Sequence, residues 1–132
     1  MHVVHRVLVA EDNKINQVVA AGTLRKLGYA VDIVDGGNEA VAACIATRFD
    51  AVLMDVMMPD MDGYQATTKI REHEVVNGLS HVPVIGLSAR AMDGDREIAL
   101  NAGFNDYLTK PLRAPELERA LDRWIGASIL LP

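Results

Sequence analysis

"LMDVMMPDMDG", residues 53–63, sets an apolar run that reads as a buried strand against an acid at its end, Asp55, and a turn through Pro59 and Gly63. Strand interiors disfavour acids, and an ionised carboxylate taken out of water costs several kcal/mol unless a partner compensates it. Asp55 therefore demands a cation, and the rest of the chain must supply one.

Working outward, short apolar runs rich in Val, Ile and Leu alternate with longer segments of helical period. Strands are expected at about His5–Ala10, Ala30–Val34, Ala51–Met54, Val82–Leu87 and Asp106–Leu108, with helices near Asn13–Leu27, Gly37–Thr47, Gly63–Val75, Asp93–Ala102 and Ala114–Ile125. Gly28 and Gly103 follow the first and fourth helices as expected at C′, and Pro115 suits the first turn of the last. Strict alternation with continuous apolar strands implies an α/β fold, a doubly wound five-stranded parallel sheet of flavodoxin-like (βα)5 type with strand order 2-1-3-4-5. In such a sheet the ligand crevice lies beyond the carboxyl ends of the strands, where the order reverses between the first and third.

The chain has 132 residues, the size of one ordinary domain, with half of them apolar and 23% charged. One domain is expected, with a core over about residues 5–125 and a tail or linker stub at 126–132. A formal charge of −5 without a cluster of Lys and Arg gives no field for nucleic acid, so direct DNA binding is not expected. No run approaches the roughly 18 apolar residues of a membrane span, so no membrane insertion by this chain is expected. The lone cysteine, Cys44, sits in an alanine-rich apolar stretch, reads as a core thiol, and suits a reducing compartment. Cytoplasmic placement follows, tethered if the chain belongs to a longer membrane-bound protein. The four histidines show no metal spacing and read as surface residues.

Each strand on the carboxyl side ends in a polar group: Glu11 and Asp12 after the first, Asp55 after the third, Ser88 after the fourth and Lys110 after the fifth. Crowded carboxylates hold protons unless a cation binds, and hard oxygen ligands on an open rim favour Mg²⁺ with a phosphate. A lysine and a hydroxyl opposite make an anion site beside the metal. This is the chemistry of an aspartate nucleophile accepting a phosphoryl group. Each piece alone has an ordinary explanation: Asp12 or Asn13 as the N-cap of the first helix, Ser88 as a turn residue, Lys110 as a surface lysine. Together they agree in position and polarity.

The segments "VLVAEDNKINQ", "DAVLMDVMMPDMDGYQAT", "VPVIGLSA" and "AGFNDYLTKPL" resemble, in order and spacing, the receiver domain of two-component response regulators, most closely those of hybrid sensor histidine kinases. The resemblance implies a phosphorelay signalling domain that assists its own aspartyl phosphorylation and dephosphorylation rather than acting on an external metabolite. Asp55 is then the phosphoacceptor. Mg²⁺, with Mn²⁺ as a substitute, is held by Asp12, by Glu11 through water, by Asp55 and by the backbone carbonyl of Met57. Ser88 and Lys110 contact the phosphoryl group, and the Lys110–Pro111 bond is cis.

The resemblance further implies that Ser88 and Tyr107 switch the face formed by the fourth helix, fifth strand and fifth helix, through which a homodimer is expected; a half-buried strand aromatic is the plainer account of Tyr107. The partner is a histidine kinase or histidine phosphotransfer protein docking on the first helix. There Ile15, Val19 and Gly22 are expected to face the sheet, leaving Val18, about 100° from Val19, as an outward docking residue or part of a wider buried stripe. Arg90 and Met57 flank the path of water to an acyl phosphate and are expected to slow hydrolysis, unless Arg90 points to solvent. Aspartyl-phosphate hydrolases on related sheets carry a second acid two residues after the nucleophile, where this chain has Met57. A phosphorylation-independent interaction module of the same fold is the remaining alternative.

Overall fold

The computed structural model describes residues 4–89 and 94–126. Strands β1 (Arg6–Ala10), β2 (Ala30–Val34), β3 (Ala51–Asp55), β4 (Val84–Ser88) and β5 (Asp106–Thr109) alternate with helices α1 (Lys14–Lys26), α2 (Gly37–Ala46), α3 (Gly63–Val76), α4 (Asp95–Asn101) and α5 (Ala114–Leu121), which a π-helical turn, Asp122–Gly126, continues. All strand pairs are parallel and the order is β2-β1-β3-β4-β5, the expected doubly wound topology.

β3 and β4 are buried at every position, because helices cover both faces of the sheet, which is why these strands read as unbroken apolar runs. Successive side chains point to opposite faces. Leu8, Val52 and Met54 therefore join Ala40, Ala66 and Ile70 in one core. Val7, Val9 and Leu53 join Ala20, Leu24, Leu117 and Leu121 in the other. Cys44 is buried in the first core, and burial pushes its thiol up to about 12. Among the described residues no helix is long and apolar enough to cross a membrane.

β4 starts at Val84 rather than Val82. The Val82 N–H is taken by the Glu74 carboxylate at 2.7 Å, and Pro83 has no N–H to add to the ladder. β3 runs one residue further than the apolar pattern, so Asp55 is itself the last strand residue. Gly28 and Gly103 take positive φ of 96° and 107°, as the helix ends require. His5, 3.5 Å from Asp50, and His73 are half-buried rather than surface residues, and His81 is exposed; His2 lies outside the described residues.

α1 corrects one expectation. Its buried stripe is Gln17, Ala20, Ala21 and Leu24, spaced as one helical face. Ile15, Val19 and Gly22 do not face the sheet: Ile15 is 74% exposed and Val19 48%. Small residues let the helix approach the sheet closely, and Gln17 finds hydrogen-bond partners in the Glu11 carbonyl and the Asp35 carboxylate, so the larger β-branched residues are left outside. Val18, 72% exposed, stands among them as an outward residue.

Glu74 on α3 is a buried carboxylate 2.8 Å from Arg71, whose guanidinium also donates to the carbonyls of Val82 and Gly103 and to Asn105. The network staples α3 to the segments leading into β4 and β5. Glu74→Ala should cost about 3–5 kcal/mol in urea unfolding, because it strands a buried cation and an N–H. Arg6→Ala, which breaks the half-exposed Arg6–Asp32 pair, should cost about 1 kcal/mol or less.

Candidate functional site

Parallel register builds the site. Ala10 pairs with Met54, Asp55 with Leu87, and Ser88 with Thr109, so Glu11, Asp55, Ser88 and Lys110 all emerge at one edge of the sheet. Lys110 is held there by its own N–H, which donates to the Ser88 carbonyl at 2.7 Å. The Lys110–Pro111 peptide is cis, as expected.

The Lys110 ammonium bridges the two buried acids, 2.9 Å from Glu11 Oε2 and 3.0 Å from Asp55 Oδ2. The second oxygen of each acid is also held: Asp55 Oδ1 accepts from the Met57 N–H at 3.1 Å, and Glu11 Oε1 from the Asn13 N–H at 3.1 Å. Asp12 is exposed, and oxygens of Glu11, Asp12 and Asp55 lie within 4.8 Å of one another. Two buried carboxylates and a third open to water form an oxygen donor set that suits a hard divalent cation retaining part of its hydration.

The electrostatics separate the two buried acids. Burial pushes the Asp55 carboxyl above its usual range, an effect that the Lys110 and Met57 hydrogen bonds only partly offset. Burial acts the same way on Glu11, but hydrogen bonds from Lys110 and Asn13 outweigh it and hold Glu11 below its usual range. Lys110 is itself raised: burial opposes its charge, and its bonds to Glu11 and Asp55 more than compensate.

Ser88 is buried at the end of β4. Tyr107 points inward on β5 and hydrogen-bonds Tyr64. Gly86 makes room for it, since a Cβ there would lie 3.2 Å from the Tyr107 ring and 3.0 Å from Phe104. The Met57 side chain is exposed, and Arg90 lies outside the described residues.

Three residues outside the expected set also reach the site's loops. Gln17 Nε2 donates to the Glu11 carbonyl and to Asp35, each at 2.6 Å, and Asp60 accepts from the backbone of Gly37 and Asn38. A polar residue on the inner stripe of α1 was a readable signal for Gln17. Asp35 and Asp60 carried none, because their partners lie 18 or more positions away.

Residues 7–122 match the response regulator receiver domain. The chain belongs to this family. The receiver is 40% identical over 127 residues to the sensor protein GacS of Pseudomonas syringae pv. syringae, a match covering 96% of the chain and 14% of GacS. It is similar, at 48% identity and a TM-score of 0.84, to the crystal structure of the receiver domain of sensor histidine kinase PA1611 from Pseudomonas aeruginosa PAO1, which has magnesium coordinated in its active-site cleft. That match covers 94% of this chain and 99% of the other. The co-crystal structure of the Saccharomyces cerevisiae histidine phosphotransfer protein Ypd1 with the receiver domain of Ssk1 aligns at 31% identity and a TM-score of 0.91, covering 97% and 93% of the two chains. The receiver thus spans a small part of the curated relatives it matches, hybrid signal transduction histidine kinases among them.

A carboxyl whose folded pKa is raised opposes folding when ionised and ceases to do so as pH falls through that raised value. Asp55→Asn should therefore raise the thermal midpoint of the receiver at neutral pH in the presence of a chelator. Adding Mg²⁺ should raise the wild-type midpoint and leave the variant nearly unchanged. Differential scanning calorimetry with and without metal checks both.

Proposed function

We propose that this receiver accepts a phosphoryl group from a phosphohistidine onto Asp55, then relays it or reports it by a change of shape. The observation that carries the reading is the placement of Asp55: a buried strand-end carboxylate, 3.0 Å from Lys110 and within 4.8 Å of Glu11 and Asp12 oxygens. An Asp55 oxygen attacks phosphorus as the P–N bond to the donor imidazole breaks, and the bonding pair leaves with the ring nitrogen. Lys110 turns from the carboxylates to the phosphoryl oxygens, and the Ser88 hydroxyl donates to them. Bound Mg²⁺, with Mn²⁺ as a substitute, would be held by Glu11, Asp12, Asp55 and the Met57 carbonyl and would neutralise phosphoryl charge.

Pulling Ser88 toward the phosphoryl group biases β4 and, through Gly86 and Tyr107, the face of α4, β5 and α5. Ile98 and Leu100 are exposed on α4, which supports that face as the surface for a homodimer. We take residues 1–132 as one receiver domain of a cytoplasmic phosphorelay, either a free regulator or a domain of a hybrid histidine kinase, with its core at about 5–125. Its partner is a histidine kinase or histidine phosphotransfer protein. The exposed Ile15, Val18 and Val19 of α1 support docking there, beside an apolar groove of about 130 Å³ that runs past Val19 and Leu112 to Glu11 and Lys110.

Intact-mass spectrometry after incubation with Mg²⁺ and acetyl phosphate should find one phosphate adduct on the wild type and none on Asp55→Asn or without metal. An adduct that persists on Asp55→Asn would place the chemistry elsewhere. Absence of both an adduct and Mg²⁺ binding would favour a phosphorylation-independent interaction module. Val18→Asp should slow transfer from a phosphorylated histidine phosphotransfer protein by roughly tenfold, about 1.4 kcal/mol. Its phosphorylation by acetyl phosphate should not change, and equal loss with both donors would contradict docking. Met57, two residues past Asp55, and Arg90, two residues past Ser88 in sequence, are proposed to retard hydrolysis, so the lifetime of the acyl phosphate should exceed minutes; decay within seconds would remove them as retarding groups.

A further inference from the structure

The loop carrying Glu11 and Asp12 and the loop carrying Met57 are both fastened to a third, the corner from Asp35 to Asn38 between β2 and α2, which contributes no site residue. On one side Gln17, the polar member of the buried stripe of α1, spends both amide hydrogens on this junction. Its Nε2 donates to the Glu11 carbonyl at 2.6 Å and to Asp35 Oδ1 at 2.6 Å. Lys14 fixes the same Asp35 oxygen at 2.8 Å, and the Glu11 N–H donates to the Val34 carbonyl at 3.2 Å.

On the other side α2 begins at Gly37, and the residue at its N-cap position, Gly36, has no side chain to cap it. Asp60 does so from the loop after β3, its Oδ1 accepting from the Gly37 N–H at 3.2 Å and its Oδ2 from the Asn38 N–H at 3.0 Å. The glycines at 36 and 37 permit this approach by lacking a Cβ. At Gly36 a Cβ would stand 2.6 Å from Asp60 Oδ1, and at Gly37 it would stand 2.3 Å from the Met61 carbonyl. Beyond Asp60 the loop is closed by the Asp62–Gln65 capping box and by the Gly63 N–H on the Val56 carbonyl at 3.0 Å. The segment from Asp55 to α3 is thus held at both ends and pinned in the middle to α2.

We propose that the Asp35–Asn38 corner, acting through Gln17 and Asp60, is a positioning element that sets the separation between the two acid-bearing loops and so the affinity of the site for a divalent cation. This rests on the reading of Glu11, Asp12 and Asp55 as a metal site. Groups that orient ligands without touching the metal commonly change affinity by 10- to 100-fold when altered. A purely structural role would lower the unfolding midpoint and leave the folded receiver's affinity unchanged.

The test is Mg²⁺ titration by calorimetry at a temperature where each variant is fully folded, with unfolding midpoints measured alongside. Gln17→Leu and Gly37→Ala alter no charge; each should weaken Mg²⁺ binding about tenfold. Asp60→Ala should do the same, and Asp60→Asn, which keeps one acceptor oxygen, should recover part of the loss. Arg6→Ala, at the opposite edge of the sheet, should leave affinity unchanged. Wild-type affinity in folded Gln17→Leu and Gly37→Ala overturns the proposal. Should Gly37→Ala fail to fold, Gln17→Leu decides alone. Failure of the wild type to bind Mg²⁺ would overturn the metal site itself, a different result from wild-type binding that the corner variants do not alter.

Discussion

The Lys110 ammonium between Glu11 and Asp55 is the contact on which the site depends. Two carboxylates and a third at the rim, gathered at the end of a parallel sheet, would otherwise repel one another and give up their charge to protons. Lys110 reaches both buried acids from the far strand β5, so the compensation exists only once the sheet is assembled in its full order. The balance is incomplete, since Asp55 remains raised while Glu11 is lowered.

Topology does the gathering. Because every strand is parallel, each one delivers its last residue to the same edge, and the reversal between β1 and β3 opens the crevice beside Asp55. The polar groups come from positions as distant in sequence as Glu11 and Lys110, yet each lies within a residue or two of a strand end. The opposite edge is given to stability: Glu74 and Arg71 close the core near the start of β4 with hydrogen bonds that involve no site residue. Function and stability thus occupy opposite ends of the same strands.

The strands and the site were readable where a residue conflicted with its surroundings. Asp55 at the end of a buried run, Gly28 and Gly103 past helix ends, and the alternation of apolar runs with helical segments are local signals, and the structure follows them. The outward side of α1 was misread because Ile15 and Val19 outrank alanine and glutamine in hydrophobicity, while close helix–sheet packing selects Ala20 and Ala21. The start of β4 was misread because a carboxylate on another helix captures the Val82 N–H. Asp35, Asp60 and Glu74 act through contacts that exist only after folding, so residue type and spacing could not announce their roles.

Fluorine NMR of the receiver with fluoroberyllate, a phosphoryl mimic, tests the account at its centre. The account predicts bound fluoride resonances that require Mg²⁺ and vanish in Asp55→Asn. They should weaken sharply in Lys110→Ala. Bound fluoride without metal, or binding unaffected by loss of Asp55, would contradict a phosphoryl site built from these acids and their lysine.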